Sequence, residues 1–447
     1  MVRIYNSLTK QLEEFKPLRE NEVSMYVCGP TVYDSMHIGN SRPVVFFDTV
    51  VRFFKYLGYK VTYVSNFTDI DDKIIARAQE TGLKEEEVSE RYIKEINETY
   101  KRLNCLPHDY NPKVTESIPE IIAFISLLLE KGYAYEVEGD VYFDVLKIRD
   151  YGIISSQTVE NLISGARIEE NERKRNPVDF TLWKKTETGL NWPSPWGRGR
   201  PGWHTECVVM VDSLFKGKID IHGGGTDLKF PHHDNEIAQA IAAYDHMIAN
   251  FWIHNGRIDL SGEKMSKSLG NVIWADELLD QVSHQVYRLM MLNVPYRQPL
   301  NYKDELLNQA ENDYEKIKRA YNGLFRKLEE AGEVEAETNA EIEAIREKFV
   351  TAMADDFNTA NAITAIFKAV KLANVYTREK NPPYGKMKSL LQNFQDFLWI
   401  LGIETGIKPL TEAEKDLIKR YREARKEKNY QLSDALREEI ISRGLEL

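Results

Sequence analysis

The sequence predicts an α/β fold: a parallel-sheet domain split by an insertion and followed by a C-terminal α-helical bundle. Three observations carry this. Val23 to Cys28, Pro43 to Leu57 and Val61 to Phe67 read as strand, helix, strand with short links, which is a βαβ unit. The texture changes between residues 112 and 201, and the strand–helix pattern then returns at Ile219. Past Tyr302, apolar residues step by three and four, the spacing of one helix face.

Val23 to Cys28 alternates apolar and polar residues, and turn-prone Gly29-Pro30 ends the run. A loop with His37-Ile38-Gly39-Asn40 leads into the helix from Pro43, which Gly58 closes. Val61 to Phe67 is rich in β-formers, and Asp69 to Ala78 reads as another helix. A hairpin is expected around Gly139, and Trp192 to Pro201 is dense in Pro, Gly and Trp. The resumed pattern is a strand at Ile219 to His222, a tight loop at Gly223 to Gly225, a helix at Asn235 to Ala243 and a strand at Phe251 to His254. Leu307, Ala310, Tyr314, Ile317, Tyr321, Leu324 and Leu328 mark one long amphipathic helix. Further helices follow to Arg443, so a bundle is the natural assembly. The expected division is 1–115 and 201–255 for the two halves of the sheet domain and 116–200 for the insertion. Residues 256–304 form a linking region and 305–447 the helical domain.

A chain of 447 residues with 42% hydrophobic residues suits several domains of ordinary globular composition. No apolar run of about 20 residues suggests a membrane span. Met1 to Lys16 lacks the apolar core of a signal peptide, so a cytoplasmic location is expected. The net charge of −11 argues weakly against a nucleic-acid partner, though a sum hides local patches. Cys28, Cys105 and Cys207 are too few, and odd in number, for a disulfide framework.

Cys28, Cys207, His232 and Glu236 form a candidate metal site. His232 and Glu236 are four residues apart at the start of a predicted helix and so share a face. Cys28 ends a strand, where open α/β sheets place ligands. Thiolate, imidazole and carboxylate together suit zinc. Spacing alone leaves a second reading open, in which the two cysteines are small core residues and His232 is a loop histidine. His204, His222 and His233 are competing nitrogens, and Cys105 reads as a buried thiol.

A second constellation points to a nucleotide. His37-Ile38-Gly39-Asn40 precedes a helix, whose N-terminus favours phosphate. Lys264-Met265-Ser266-Lys267-Ser268 lies between Gly262 and Gly270, where a loop with two lysines can close over a triphosphate. Gly223 to Gly225 with Asp227 can bring backbone close to a ligand and set a carboxylate against ribose hydroxyls or an ammonium; the same glycines also fit a plain tight turn.

The His37–Asn40 and Lys264–Ser268 pair resembles the two signatures of class I aminoacyl-tRNA synthetases. Tyr26 to Asp34, Asn66 to Lys73, Pro201 to Cys207, Gly223 to Glu236 and Asp355 to Ala360 are similar to the cysteinyl-tRNA synthetases among them. Asp434-Ala435-Leu436-Arg437 resembles the motif of their helical anticodon-binding domains. The resemblance spans nearly the whole chain. It implies a Rossmann-like catalytic domain and one Zn²⁺ per chain on Cys28, Cys207, His232 and Glu236, binding the thiolate of L-cysteine. ATP with Mg²⁺ would lie against His37, Gly39, Asn40, Asp227 and Lys267. Gly29, Thr68 and Trp203 would lie near the amino acid, and tRNA(Cys) would be the acceptor.

On this reading the cysteine carboxylate attacks the α-phosphate, pyrophosphate leaves, and the cysteinyl group passes to the tRNA 3′ end. His37, Asn40, Lys264 and Lys267 would serve the phosphates. A monomer with no membrane association is expected. Asn40 stands where many class I members have histidine. The family usually runs on past the equivalent of Leu447 through a short tail that helps read the anticodon, which puts anticodon discrimination in doubt. The alternatives are a cysteine ligase acting on a small amino-sugar acceptor, a non-catalytic RNA-binding relative and a zinc hydrolase. The last lacks an HExxH motif.

Overall fold

The computed structural model describes residues 1–447 except 166–172, 261, 266–269, 444 and 446–447; side chains of 163–165 and 263–264 are likewise outside the description. A hairpin of β1 (Arg3–Asn6) and β2 (Gln11–Glu14) opens the chain. β3 (Glu22–Val27), α1 (Ile38–Tyr56) and β4 (Lys60–Ser65) form the βαβ unit, with β3 and β4 parallel. Its first helix begins earlier than the apolar pattern suggests. Ile38 and Gly39 are already helical and His37 is the N-cap, with its Nδ1 accepting from the Asn40 N–H at 3.3 Å. Pro43 lies inside the helix, past its first turn, and so leaves the Gly39 carbonyl without its intrahelical N–H donor.

α2 (Asp72–Thr81) starts three residues later than expected, because the Asp71 side chain caps it by accepting from Lys73 N. α3 (Glu85–Arg102) and α4 (Ile118–Glu130) follow. β5 (Ala134–Val137) and β6 (Asp140–Phe143) form the hairpin around Gly139, which has φ +94°. After α5 (Val159–Gly165), β7 (Phe180–Lys185) and β8 (Gly199–Pro201) complete an antiparallel sheet in the order β5-β6-β7-β8. Then come α6 (Glu206–Phe215), β9 (Ile219–Gly225), α7 (Asp234–Tyr244) and β10 (Ala249–Asn255).

β9 is longer than expected. Gly223, Gly224 and Gly225 are strand residues paired with Ile253, His254 and Asn255, and do not form a tight loop. The reason is steric: a Cβ on Gly223 would come within 2.3 Å of the Phe47 ring of α1. The parallel sheet runs β10-β9-β3-β4, and the chain changes direction between β3 and β9. That is the switch point where open α/β sheets bind ligands. One face of the sheet packs on α1 and the C-terminal helices through Met25, Tyr63, Ile221 and Ile253; the other packs on α4, α6 and α7 through Tyr26, Val64 and Trp252.

β11 (Ile258–Leu260), β12 (Glu263–Lys264) and, beyond α8 (Ala275–Gln281) and α9 (His284–Leu292), β13 (Leu300–Tyr302) form a small sheet in the order β12-β11-β13. The bundle is α10 (Asp304–Ala331), α11 (Ala340–Ala354), α12 (Thr359–Tyr376), α13 (Tyr384–Leu401) and a terminal pair, α14 (Glu412–Lys426) and α15 (Tyr430–Ser442). On α10, Ala310, Tyr314, Ile317, Tyr321 and Leu324 are buried. Arg288 ties these parts together: its guanidinium, fully buried, donates to Asp48 of α1 at 2.6 Å and to the Leu401 carbonyl at the end of α13 at 2.6 Å. No described helix is long and apolar enough to cross a membrane.

Candidate active site

Cys28 follows the last residue of β3, and its N–H donates to the Gly223 carbonyl of neighbouring β9. Cys207 lies in the first turn of α6, and His232 and Glu236 straddle the entry to α7. His232 follows a kink at Phe230, whose backbone is extended (φ −134°, ψ 135°), and lies four residues before Glu236. The four ligand atoms lie within 4.8 Å of one another. Cys28 Sγ is 3.8 Å from Cys207 Sγ and 3.6 Å from Glu236 Oε1. His232 Nε2 is 3.5 Å from Cys207 Sγ and 2.8 Å from Glu236 Oε1. Donors about 2.0–2.3 Å from a shared tetrahedral ion stand about 3.3–3.8 Å apart, so three of these separations already match and the fourth is a shorter hydrogen-bonded pair.

Cys28, His222, His233 and Glu236 make an overlapping second group. The two groups interlock, and His233 Nε2 itself lies 3.3 Å from Cys28 Sγ. Glu236 turns Oε1 to the sulfur side and Oε2 to His222 Nε2 at 2.5 Å. His233 Nδ1 meets His254 Nε2 at 2.7 Å. His232 Nδ1 is 2.9 Å from His204 Nδ1. An outer ring of polar groups holding the inner donors is the usual construction of a metal site. The set with two sulfurs suits zinc better than the set with one.

Electrostatics point the same way. Burial, then the adjacent Cys207 sulfur, pushes the Cys28 thiol well above its ordinary value. Burial raises Glu236 too, but His222 and His232 outweigh it and hold the carboxyl well below its usual range. Burial would lower His232, yet Glu236 and Cys207 raise it on balance. Burial keeps His204, His233 and His254 neutral. The protein alone therefore favours the protonated Cys28 thiol, whereas a divalent cation reverses that sign.

Trp203 stacks on His232, with centroids 4.9 Å apart and planes 23° apart, and is 41% exposed. Gly202 lets this turn pass against β7, since a Cβ there would lie 1.9 Å from the Thr181 carbonyl. Asn66 joins Gly29 to Thr68: its Oδ1 accepts from Gly29 N at 2.9 Å and its Nδ2 donates to Thr68 Oγ1 at 3.2 Å. Gly29 admits no side chain, because a Cβ would stand 1.6 Å from the Asn66 carbonyl. Trp203 thus lies against the cluster through His232 and Gly29 adjoins Cys28, while Thr68 is linked to Gly29 through Asn66.

His37, Gly39 and Asn40 lie at the α1 N-terminus, and Asp227 is exposed just past β9. Strand ends β3 and β9 are neighbours, so the topology puts these residues on the same edge of the sheet as the sulfur cluster. The Lys264 backbone lies in β12, its side chain is outside the described residues, and Lys267 lies outside them altogether.

Sequence reasoning missed His254, Glu206 and Tyr26. Tyr26 stands edge-on to His222, and burial pushes its hydroxyl up. Glu206 is buried, with neither carboxylate oxygen hydrogen-bonded among the described residues, and burial drives it to about 7. A cavity of about 430 Å³ opens beside it, lined by Trp203, Arg200, Lys184 and Phe180. Only Glu206's position next to Cys207 marked it in the sequence.

Comparison with known proteins settles the family. The model described as tRNA synthetases class I (C) catalytic domain matches residues 14–312, and that of the DALR domain matches 348–405. The cysteine–tRNA ligase of Anoxybacillus flavithermus is 46% identical over 99% of this chain and 97% of its own length. The chain belongs to the class I cysteinyl-tRNA synthetase family. Another similar relative, the cysteine–tRNA ligase of Halalkalibacterium halodurans, is 46% identical over 99% of the chain and 96% of its own length. Among solved structures, the fold is shared with Mycobacterium tuberculosis methionyl-tRNA synthetase bound to methionyl-adenylate (TM-score 0.62, 14% identity, 85% of this chain and 90% of that one). It is shared as well with Thermus thermophilus arginyl-tRNA synthetase (TM-score 0.52, 14% identity, 89% and 84%). The parallel sheet with its helical C-terminus is thus the class I synthetase architecture, and the cysteinyl-tRNA synthetase family supplies the expectation for its chemistry.

Proposed function

We propose that this enzyme activates L-cysteine with Mg²⁺-ATP, releasing pyrophosphate, and transfers the cysteinyl group to the 3′ end of tRNA(Cys). The observation that carries the reading is the two-sulfur cluster of Cys28, Cys207, His232 and Glu236 at the switch point of the sheet. These four residues would hold one Zn²⁺. The ion would supply a soft Lewis acid that takes a thiolate in preference to a hydroxyl.

Every further task falls to the chain. Gly29 and Thr68, tied through Asn66, would border the amino acid, with Trp203 covering it from the solvent side. His37 and Asn40 at the helix N-terminus, with Gly39 giving close approach, would orient the phosphates. Asp227 would take the ribose hydroxyls. Lys264 and Lys267 would neutralise charge as pyrophosphate departs, so positioning and electrostatics do most of the work. The cavity beside Trp203 and Arg200 offers the acceptor end a route to the activated carboxyl. The helical region, including the DALR match, would read the anticodon. We assign residues 1–115 and 201–255 to the catalytic domain, 116–200 to the insertion, 256–304 to the link and 305–447 to the tRNA-binding bundle.

A small amino-sugar acceptor is the weaker reading, because it leaves the DALR region without a task. The test is pyrophosphate exchange with cysteine and with serine, before and after chelation, followed by charging of tRNA(Cys). Cysteine should drive exchange about 10⁴-fold better than serine, as expected where a site is built around one polar group. Undiminished activation and preference after the metal is removed would overturn the zinc assignment.

A further inference from the structure

Arg42 lies on α1, five residues past His37, and is 2% exposed. Its Nη1 donates to the carbonyls of Gly256 at 2.8 Å, Arg257 at 3.0 Å and Gln298 at 2.7 Å, and its Nη2 to that of Pro295 at 3.3 Å. Among the described residues no carboxylate pairs with it. A guanidinium buried without a counter-charge is costly, and burial lowers it to about 10. The planar fork is suited to gathering several acceptors at once, which an ammonium on a flexible stem does less well.

What it gathers is informative. Gly256 and Arg257 run directly into β11, and Pro295 to Gln298 lead into β13. These strands pair in parallel, Ile258 with Leu300, and β12, which contains Lys264, pairs with β11. The two segments touch closely: Gly256 N donates to the Tyr296 carbonyl at 2.6 Å, and a Cβ on Gly256 would stand 2.3 Å from the Gln298 carbonyl. Downstream of the lysine loop, the chain returns to the same helix. Ile38 N donates to the Ile273 carbonyl at 3.0 Å and Ala275 N to the Met36 carbonyl at 2.9 Å. Buried Met265 packs at Gly39, where a Cβ would meet its Cε at 3.1 Å.

We propose that Arg42 is a positioning residue for cysteine activation: its carbonyl cage locks the small sheet that carries the lysine loop to the helix whose N-terminus faces the phosphates. This rests on the ligase reading above. The cage touches neither the sulfur cluster nor the cavity beside Trp203, so it acts on the phosphate chemistry alone. A displacement of about 1 Å in such a support costs on the order of a hundredfold in rate.

The experiment uses the full-length zinc-loaded enzyme with Arg42→Lys and, from the other side of the cage, Gly256→Ala. Both should lower kcat for cysteine-dependent pyrophosphate exchange by about ten- to a hundredfold and leave the cysteine KM within about twofold. Enzyme-bound adenylate, accumulated with pyrophosphatase and then mixed with tRNA, should transfer its cysteine at the wild-type rate. Arg42→Lys should retain more activity than Arg42→Gln, since it keeps the cation. Exchange at the wild-type rate in both Arg42→Lys and Gly256→Ala overturns the proposal, as does equal slowing of exchange and transfer, the mark of a general structural defect. A wild type without cysteine-dependent exchange brings down the ligase reading first and this inference with it.

Discussion

The sulfur side and the proposed phosphate side of the sheet edge are built on opposite plans. Cys207, His232 and Glu236 are 2% exposed or less and are held by a second ring of histidines. Asn40 and Asp227 are exposed, and His37 is only half-buried. In the first arrangement His232 and Glu236 are already aimed by His204 and His222. The second is a helix N-terminus and a short turn, with Met265 of the neighbouring small-sheet segment packed at Gly39. Selection of a side chain benefits from a rigid, dry site. Release of pyrophosphate calls for groups that can approach and withdraw.

Four substitutions sharpen or break that contrast. The largest effect belongs to Cys207→Ala, which should cost more than the roughly hundredfold typical of losing an outer partner of a metal ligand. Metal content by mass spectrometry and pyrophosphate exchange should fall together; full activity with no bound zinc would break the comparison outright. Next is Lys267→Ala, expected to slow adenylate formation by about 10²–10³-fold while cysteine binding, read by calorimetry, hardly changes. An equal loss of cysteine affinity would mean the two sides are not separable. Trp203→Ala should raise the cysteine KM about two- to tenfold, the worth of one aromatic contact, with little change in the ATP KM. The smallest effect is Asp227→Asn, about fivefold on the ATP KM, the worth of one hydrogen bond. A shift in the cysteine KM there would place Asp227 on the sulfur side.

The contrast also explains what could be read without coordinates. Periodicity of two and of 3.6 residues locates the strands, α1 and the long α10, because their buried faces are continuous. Boundaries shift where a side chain overrules the pattern: Asp71 delays α2, and His37 starts α1 before the first apolar run. Gly223 to Gly225 read as a loop, since nothing in the sequence records that Phe47 demands bare backbone at Gly223. The four sulfur-side residues come from segments far apart in the chain, so spacing left them ambiguous and only the family resemblance joined them. Glu206, His254 and Arg42 had no such signal. Their roles depend on which carbonyls or rings lie opposite, and one-dimensional order does not encode that.

The apolar interior is partitioned unevenly. One continuous cluster runs from Val2 and the β3–β4 face through α9 to Ile403, whereas α14 and α15 share only a small cluster of their own around Leu417, Ile418, Ala424, Leu436 and Ile440. On warming, the first cluster should melt as a single cooperative unit, with half the sheet domain and most of the bundle unfolding together. The terminal hairpin should open at far lower free energy, exchanging its amide hydrogens and yielding to protease while the rest of the molecule stays folded.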